Sequence, residues 1–396
     1  MLSEAKDLSE LMVDLGYAAL FFADERMAEE VLALEERLTE LVHEMREVCV
    51  LAGRSKRDAE QIASVLHVVS AIERMGNAAV DISRIVTHRL GIPPSLVADL
   101  ADAEEISHRV RVRGDSALAN RRLEEVELPM ETGMRIVAIR RDREWIIDPD
   151  GDEMLLENDV LILRGPSEGI VEVRELSGAP EWRAASVEED PAISDLDRAV
   201  DVLVAMKNLS EGAVGLAYSA LLLKDVGLAA QVSQLENRVD EMREHLELWV
   251  LRAGADTVDP SGLRGLLHLG NAAEEIGDAA QQLVWLVEED EEMHPILALA
   301  LGESDDVFVQ FPIAKGSALD GAEVSRMQIG DDTGFHVLAI KRGGRYFYRP
   351  RRMTLRPGDE ILATGPWEGR AELARQCGFR FHEDDDTGIV ELVPSQ

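Results

Sequence analysis

The sequence predicts an α+β chain in which two three-helix bundles alternate with two small β-α-β-β-β-α modules. Three observations predict it: an internal duplication, apolar stripes at helical spacing, and short alternating apolar runs between turn residues. The duplication comes first. Tyr17-Ala18-Ala19-Leu20 aligns with Tyr218-Ser219-Ala220-Leu221, an offset of 201 residues. The same register pairs Asp24 with Asp225, Gly76 with Gly277, Gly133 with Gly334 and Ile139 with Ile340. After the second hairpin the offset is 200, pairing Asp159 with Asp359 and Gly165-Pro166 with Gly365-Pro366.

Each copy then reads as ordered elements. One helix precedes Asp24. A long one carries Val31, Leu34, Leu38, Leu41, Met45 and Val48 on one face, and its counterpart carries Val232, Leu235, Val239, Met242, Leu246 and Trp249. Gly53 and Gly254 break these helices, and a third runs from about Asp58 to Arg89. In the first β module, His108–Arg113 alternates as a strand, Ser116–Glu125 is a short helix, and Arg135–Arg140 is a second strand. Asp142 and Gly343-Gly344 turn the hairpins into the return strands Trp145–Ile147 and Tyr346–Phe347–Tyr348. Val160–Leu163 and Glu360–Ala363 are the last strands, each followed by a helix after Gly-Pro. The expected units are a bundle at 1–104, a β module at 105–178, an acidic linker at 179–195, a bundle at 196–303, a β module at 304–380 and an acidic C-terminal tail at 381–396.

Composition excludes several classes. With 46% hydrophobic residues the chain folds, and a net charge of −36 opposes binding to nucleic acid. Only six lysines are present, at 6, 56, 207, 224, 315 and 341. This acidic, lysine-poor surface suits a salt-rich cytoplasm and a halophilic source, with an ordinary acidic protein of high-GC codon bias as the alternative. Cys49 and Cys377 are too few for a disulfide framework or thiolate metal site and are read as inert. The N-terminus lacks the positive start of a signal peptide, and no apolar run nears the roughly 18 residues of a membrane span, so no direct membrane insertion is expected.

The β modules resemble the TrkA-C domain, the C-terminal domain of RCK-type potassium-transport regulators. The residues carrying this are Ser317-Ala318-Leu319-Asp320-Gly321, Gly334–Gly344 and Leu355–Gly365, with Asn158 replacing the Gly of Pro-Gly-Asp in the first copy. The bundles resemble PhoU through Glu73-Arg74-Met75-Gly76-Asn77, Glu274-Glu275-Ile276-Gly277-Asp278, Leu34-Glu35 and Leu235-Glu236. Their alternation resembles archaeal PhoU/TrkA-C tandem proteins, regarded as regulators of cation transport. The resemblance implies a homodimer, a membrane cation transporter or channel as partner, and a small ligand near a TrkA-C interface, in some members cyclic di-AMP. For PhoU bundles it implies divalent metal held by Glu-x-x-x-Asp pairs.

Two clusters fit such ligands. Glu236 with Asp240, and Glu274 with Asp278, stand four residues apart on helical faces and offer paired carboxylates to a hard cation; the alternative is a solvated acidic face. The first copy keeps only Glu35 and Glu73, opposite Thr39 and Asn77. On the second hairpin Lys341, Arg342, Arg345, Arg349, Arg351 and Arg352 suit an anion, with Tyr346 and Tyr348 as stacking faces; the alternative is pairing with the chain's own carboxylates. The matched His67 and His268 read as packed or boundary residues. No nucleophile, metalloprotease, phosphate-loop or dinucleotide motif occurs, so neither catalysis nor NAD binding is expected. The expectation is a cytoplasmic, non-enzymatic regulatory subunit of a cation transporter or channel, with potassium the expected ion, peripheral at the inner membrane face through its partner. The alternatives are a metal-binding or phosphate-signalling adaptor whose TrkA-C domains serve dimerisation, and a regulator of a magnesium transporter. Ligand binding is expected in the C-terminal half.

Overall fold

The computed structural model describes residues 1–93, 96, 100, 105–126, 128–142, 144–166, 169–180, 194–256, 260–302, 306–324, 333–348, 350, 353–383 and 390–394. The first bundle is α1 (Leu2–Phe22), α2 (Glu25–Ala52) and α3 (Lys56–Thr87). Its turns follow from local chemistry. Ala23 leaves α1 in the left-handed region, and the Asp24 side chain accepts from the backbone N–H groups of Arg26 and Met27 to cap α2. Ser55 caps α3 in the same way. The second bundle repeats the plan as α7 (Asp195–Leu223), α8 (Val226–Asp256) and α9 (Arg264–Glu288), with a Ser194/Asp197 capping box opening α7 and Asp225 capping α8.

Each β module is a four-stranded antiparallel sheet. The first holds β1 (Glu105–Arg111), β2 (Arg135–Arg141), β3 (Glu144–Ile147) and β4 (Val160–Pro166) in the order β1-β4-β2-β3. Between β1 and β2, turns occupy the first part of the helix expected at Ser116–Glu125 and only its end is helical, in α4 (Leu123–Val126), which is followed by α5 (Leu128–Thr132). The helix α6 (Ile170–Leu176) closes the module. The second sheet has the same order in β5 (Asp306–Pro312), β8 (Glu360–Pro366), β6 (His336–Arg342) and β7 (Arg345–Tyr348), preceded by α10 (Pro295–Gly302) and closed by α11 (Arg370–Gln376). The final strands β9 (Phe379–Glu383) and β10 (Val390–Pro394) form an antiparallel hairpin where the sequence reads as an acidic tail, because Phe379, Phe381 and Leu392 pack on the second module's core. Most of the acidic linker, at 181–193, lies outside the described residues.

Both sheets are covered on two faces. Leu161 and Leu163 face the module's own helix with Ile170 and Val173, whereas Ile162 joins the helical core. A register shift between Ile136 and Ala138 turns two consecutive residues, Val137 and Ala138, toward the bundle; Val337/Ala339 repeats it for Leu338 and Ala339. The two bundles share one continuous core. Arg57 meets Glu292, His67 meets Gln282 and Arg74 meets Glu275, so α3 and α9 run antiparallel and the halves pack about a pseudo-two-fold axis. The same symmetry crosses α1 with α7: the Lys6 ammonium lies 5.2 Å from the Tyr218 ring centre and that of Lys207 lies 4.8 Å from Tyr17.

The join between sheet and closing helix is tight in both modules. A Cβ on Gly169 would stand 2.1 Å from the Thr132 carbonyl oxygen, and one on Gly369 would stand 1.8 Å from that of Thr333. Gly369→Ala should therefore lower unfolding free energy by about 1–3 kcal/mol, since backbone must move. Gly302→Ala, where nothing lies within 4 Å, should change it by less than about 0.5 kcal/mol. Urea denaturation of both variants checks this, and equal midpoints would refute it.

Candidate functional site

The two hairpins dock on the bundles through one repeated device. Asp225, already capping α8, accepts from the Tyr346 hydroxyl at 2.6 Å and the Lys341 ammonium at 3.0 Å. Burial pushes its carboxyl up, but the bonds from Tyr346, Lys341 and the Leu228 N–H outweigh burial and hold it below the usual range. In the first copy Arg140 takes the place of Lys341 and lies 3.6 Å from Asp24. A second repeated pair stays inside each module. Arg342 grips the buried Asp359 with two bonds of 2.5 and 2.6 Å, and Arg141 grips Asp159 at 2.8 and 3.0 Å. Lys341 and Arg342 are thus engaged by the chain's own carboxylates, and both engagements have a twin in the first copy. Arg345 stands exposed at the hairpin tip, whereas Arg349, Arg351 and Arg352 lie outside the described residues.

Of the four acids singled out for metal, three converge. Glu236, Asp240 and Asp278 place one carboxylate oxygen each within 4.8 Å of one another, where α8 and α9 pack together beside Val239 and Gly277. Glu274 turns instead to Arg243, at 3.0 Å. A cation from the other bundle enters: Arg74 on α3 donates to Asp278 at 2.7 Å. The donor set suits a hard divalent ion, with Arg74 as a built-in competitor for one ligand. In the first copy Thr39 and Asn77 stand in place of two of the acids, Thr39 donates to Glu35, and Arg46 grips Glu73. His67 bonds the Gln282 carbonyl across the bundle interface, whereas His268 is exposed.

A cleft of about 490 Å³ opens where the two β modules meet, within the roughly 300–1,000 Å³ of small-molecule sites. Gly334 of the second module stands against Pro129 of the first, and paired Gly-Pro corners at 165–166 and 365–366 line the walls. The polar lining is unequal. The first module and α1 supply Arg135, Arg164, Asp148, Asp150 and Asp14, where the second supplies His336, Thr364 and Glu368. Arg135 pairs with Asp148 at 3.0 Å, and Arg164 pairs with Asp14 and, at 3.0 Å, with Glu211 of α7.

Beneath the cleft lies a charged layer that the sequence reading passes over. Lys6 is 1% exposed and Lys207 5% exposed. Their ammonium groups bond Glu10 at 2.8 Å and Glu211 at 2.7 Å. Burial first, then the nearby Glu211 carboxylate, raises the Tyr17 hydroxyl well above its ordinary pKa, with Arg164 opposing; burial, Glu10 and Asp7 do the same to Tyr218. A signal for this layer exists in the sequence: two of only six lysines, with a glutamate four residues on, fall at duplicated positions.

Comparison with known families bears directly on this architecture. The TrkA-C domain model matches residues 108–178 and 308–378, and the PhoU domain model matches 2–86 and 203–285. The chain is a tandem PhoU/TrkA-C protein. Both domain families are regulatory, and their combination fits regulation of cation transport. No match to a curated protein reaches significance. Among solved structures, PhoU from Pseudomonas aeruginosa is 17% identical over 72% of this chain and 91% of that one, with a TM-score of 0.39. A GsuK channel bound to NAD is 14% identical over 77% of this chain and 65% of that one, with a TM-score of 0.19. The GsuK RCK domain is 14% identical over 77% and 78%, with a TM-score of 0.18. Such overall superpositions are loose, and the assignment rests on the family matches.

The acidic cluster of the second PhoU domain has a pH signature. Burial, then Asp240, Asp278 and Glu274, raise the Glu236 carboxyl, so its ionised form opposes folding. Glu236→Gln should therefore stabilise the metal-free protein at neutral pH. That advantage should fade as pH falls through the carboxylate range, where the native side chain takes up its proton. Urea denaturation at stepped pH measures it, and an advantage that grows on acidification would refute the account.

Proposed function

We propose that this PhoU/TrkA-C protein is a cytoplasmic regulatory subunit of a membrane cation transporter or channel, with potassium the expected ion, and that it senses a small ligand between its two TrkA-C domains. The cleft carries this reading: it is of ligand size, and its wall residue Arg164 continues into the helical layer. The two TrkA-C domains meet within one chain, and both line the cleft. No helix among the described residues is long and apolar enough to cross a membrane, which agrees with action through a separate membrane partner. Calorimetry and thermal melting of the full chain at high salt, against cyclic di-AMP, ATP and magnesium, test the reading. A ligand at a hundredfold excess over its Kd should stabilise the fold by about 2.7 kcal/mol. Absence of both heat and melting shift with all three, and unchanged cation flux in a deletion strain, would sink it.

The convergence of Glu236, Asp240 and Asp278 favours a second reading, a metal-binding adaptor, in which Arg74 and a divalent ion compete for Asp278. On this reading Arg74→Ala tightens manganese or magnesium binding and Asp278→Ala abolishes it. Equal metal content in both variants would count against it.

A further inference from the structure

The two halves place an equivalent lysine, glutamate and tyrosine at each pole of the α1–α7 crossing, but the poles differ in what reaches them from the cleft. At one pole a single Glu211 oxygen, Oε2, takes both the Lys207 ammonium at 2.7 Å and the Arg164 guanidinium at 3.0 Å. Arg164 is also held by Asp14 of α1, and Lys207 lies over the Tyr17 ring of the same helix. A continuous path of charge therefore runs from the cleft wall through Arg164 and Glu211 to Lys207 and back to α1. At the other pole Thr364 stands where Arg164 would be and Gly215 where Asp14 would be. There the Phe308 ring approaches the Lys6 ammonium at 5.8 Å, and Asp7 joins Glu10 in holding it.

We infer that Arg164 is the residue through which an anionic group in the cleft is felt by the PhoU layer, and that this coupling exists at only one of the two poles. The inference rests on the cleft being the ligand site. A phosphate or carboxylate there meets the only cleft-wall guanidinium among the described residues that also touches α7. A phosphate carries more charge than a carboxylate and matches the guanidinium fork, so it competes well with Asp14 and Glu211. As Arg164 turns toward the ligand, Asp14 and Glu211 lose a counter-charge in a poorly hydrated layer. The present α1–α7 crossing becomes less favourable, and a ligand with such differential affinity biases the equilibrium between crossings.

Hydrogen exchange on the full-length chain, free of ligand, tests the path directly. Arg164→Gln should speed exchange about tenfold in peptides spanning Asp14–Tyr17 and Lys207–Glu211, leaving the Lys6–Glu10 peptide as it was. Arg164→Lys should recover part of the protection, and Thr364→Val should change neither pole. In a Glu211→Gln background, Arg164→Gln should speed exchange of the Lys207–Glu211 peptide less than it does alone, as expected of residues acting in one path. Unchanged exchange, a uniform increase across both poles, or additive effects in the double variant would overturn the path whatever the cleft binds. Calorimetry with pyrophosphate and cyclic di-AMP separates the two ideas. Heat with no change at the Tyr17 and Glu211 peptides rejects the coupling; the predicted exchange pattern with no heat upholds the path and rejects the ligand reading.

Discussion

Two lysine ammonium groups buried at the crossing of α1 and α7 impose the condition that the rest of the molecule satisfies. A buried cation is tolerated only with a carboxylate partner and further compensation, here Glu10 or Glu211 and the face of a tyrosine from the opposite half. Neither half supplies all of this alone. Lys6 needs Tyr218, and Lys207 needs Tyr17, so the halves must pack antiparallel about their pseudo-axis. That packing merges two PhoU bundles into one core, lays α3 against α9, and sets the two TrkA-C sheets side by side on the layer above. The cleft between the sheets is a consequence of the same symmetry.

The duplication preserves the joints and varies the sites. Asp24 and Asp225 each cap a helix while holding a hairpin cation, and Arg141 and Arg342 each clamp a buried aspartate. Those residues fix how a module folds and docks, which must hold in both copies. Away from the joints the copies diverge: Thr364 lines the cleft at the position equivalent to Arg164, and among the described residues the three-carboxylate group lies in the second bundle. A ligand on the axis therefore meets unlike walls, which suits an asymmetric ligand or an asymmetric response. Both halves line the cleft, and its described charged groups come mainly from the first.

The hairpin shows why the sequence speaks more clearly about scaffold than about site. Lys341, Arg342 and Arg345 form one basic run in sequence. On a strand, successive side chains point to opposite faces, so Lys341 goes to the bundle and Asp225 while Arg342 goes to the module and Asp359. Adjacency in the chain becomes separation in space. The converse holds at Asp278, whose partner Arg74 is 204 residues away and belongs to the other bundle.

By itself the sequence determined the duplicated α+β plan, the element order and the two domain families, because helical stripes, strand alternation and turn residues are local and each appears twice. It also singled out the pairs Glu236/Asp240 and Glu274/Asp278, since i,i+4 spacing fixes a helical face, whereas the structure gathers Glu236, Asp240 and Asp278 and turns Glu274 to Arg243. Only the tertiary structure decided that the two halves share one core, that a ligand-sized cleft opens between the β modules, and that Arg164 links its wall to Lys207. The physical reason is that these features depend on the relative placement of the halves. That placement is set by long-range burial and charge pairing, which leave no periodic trace along the chain.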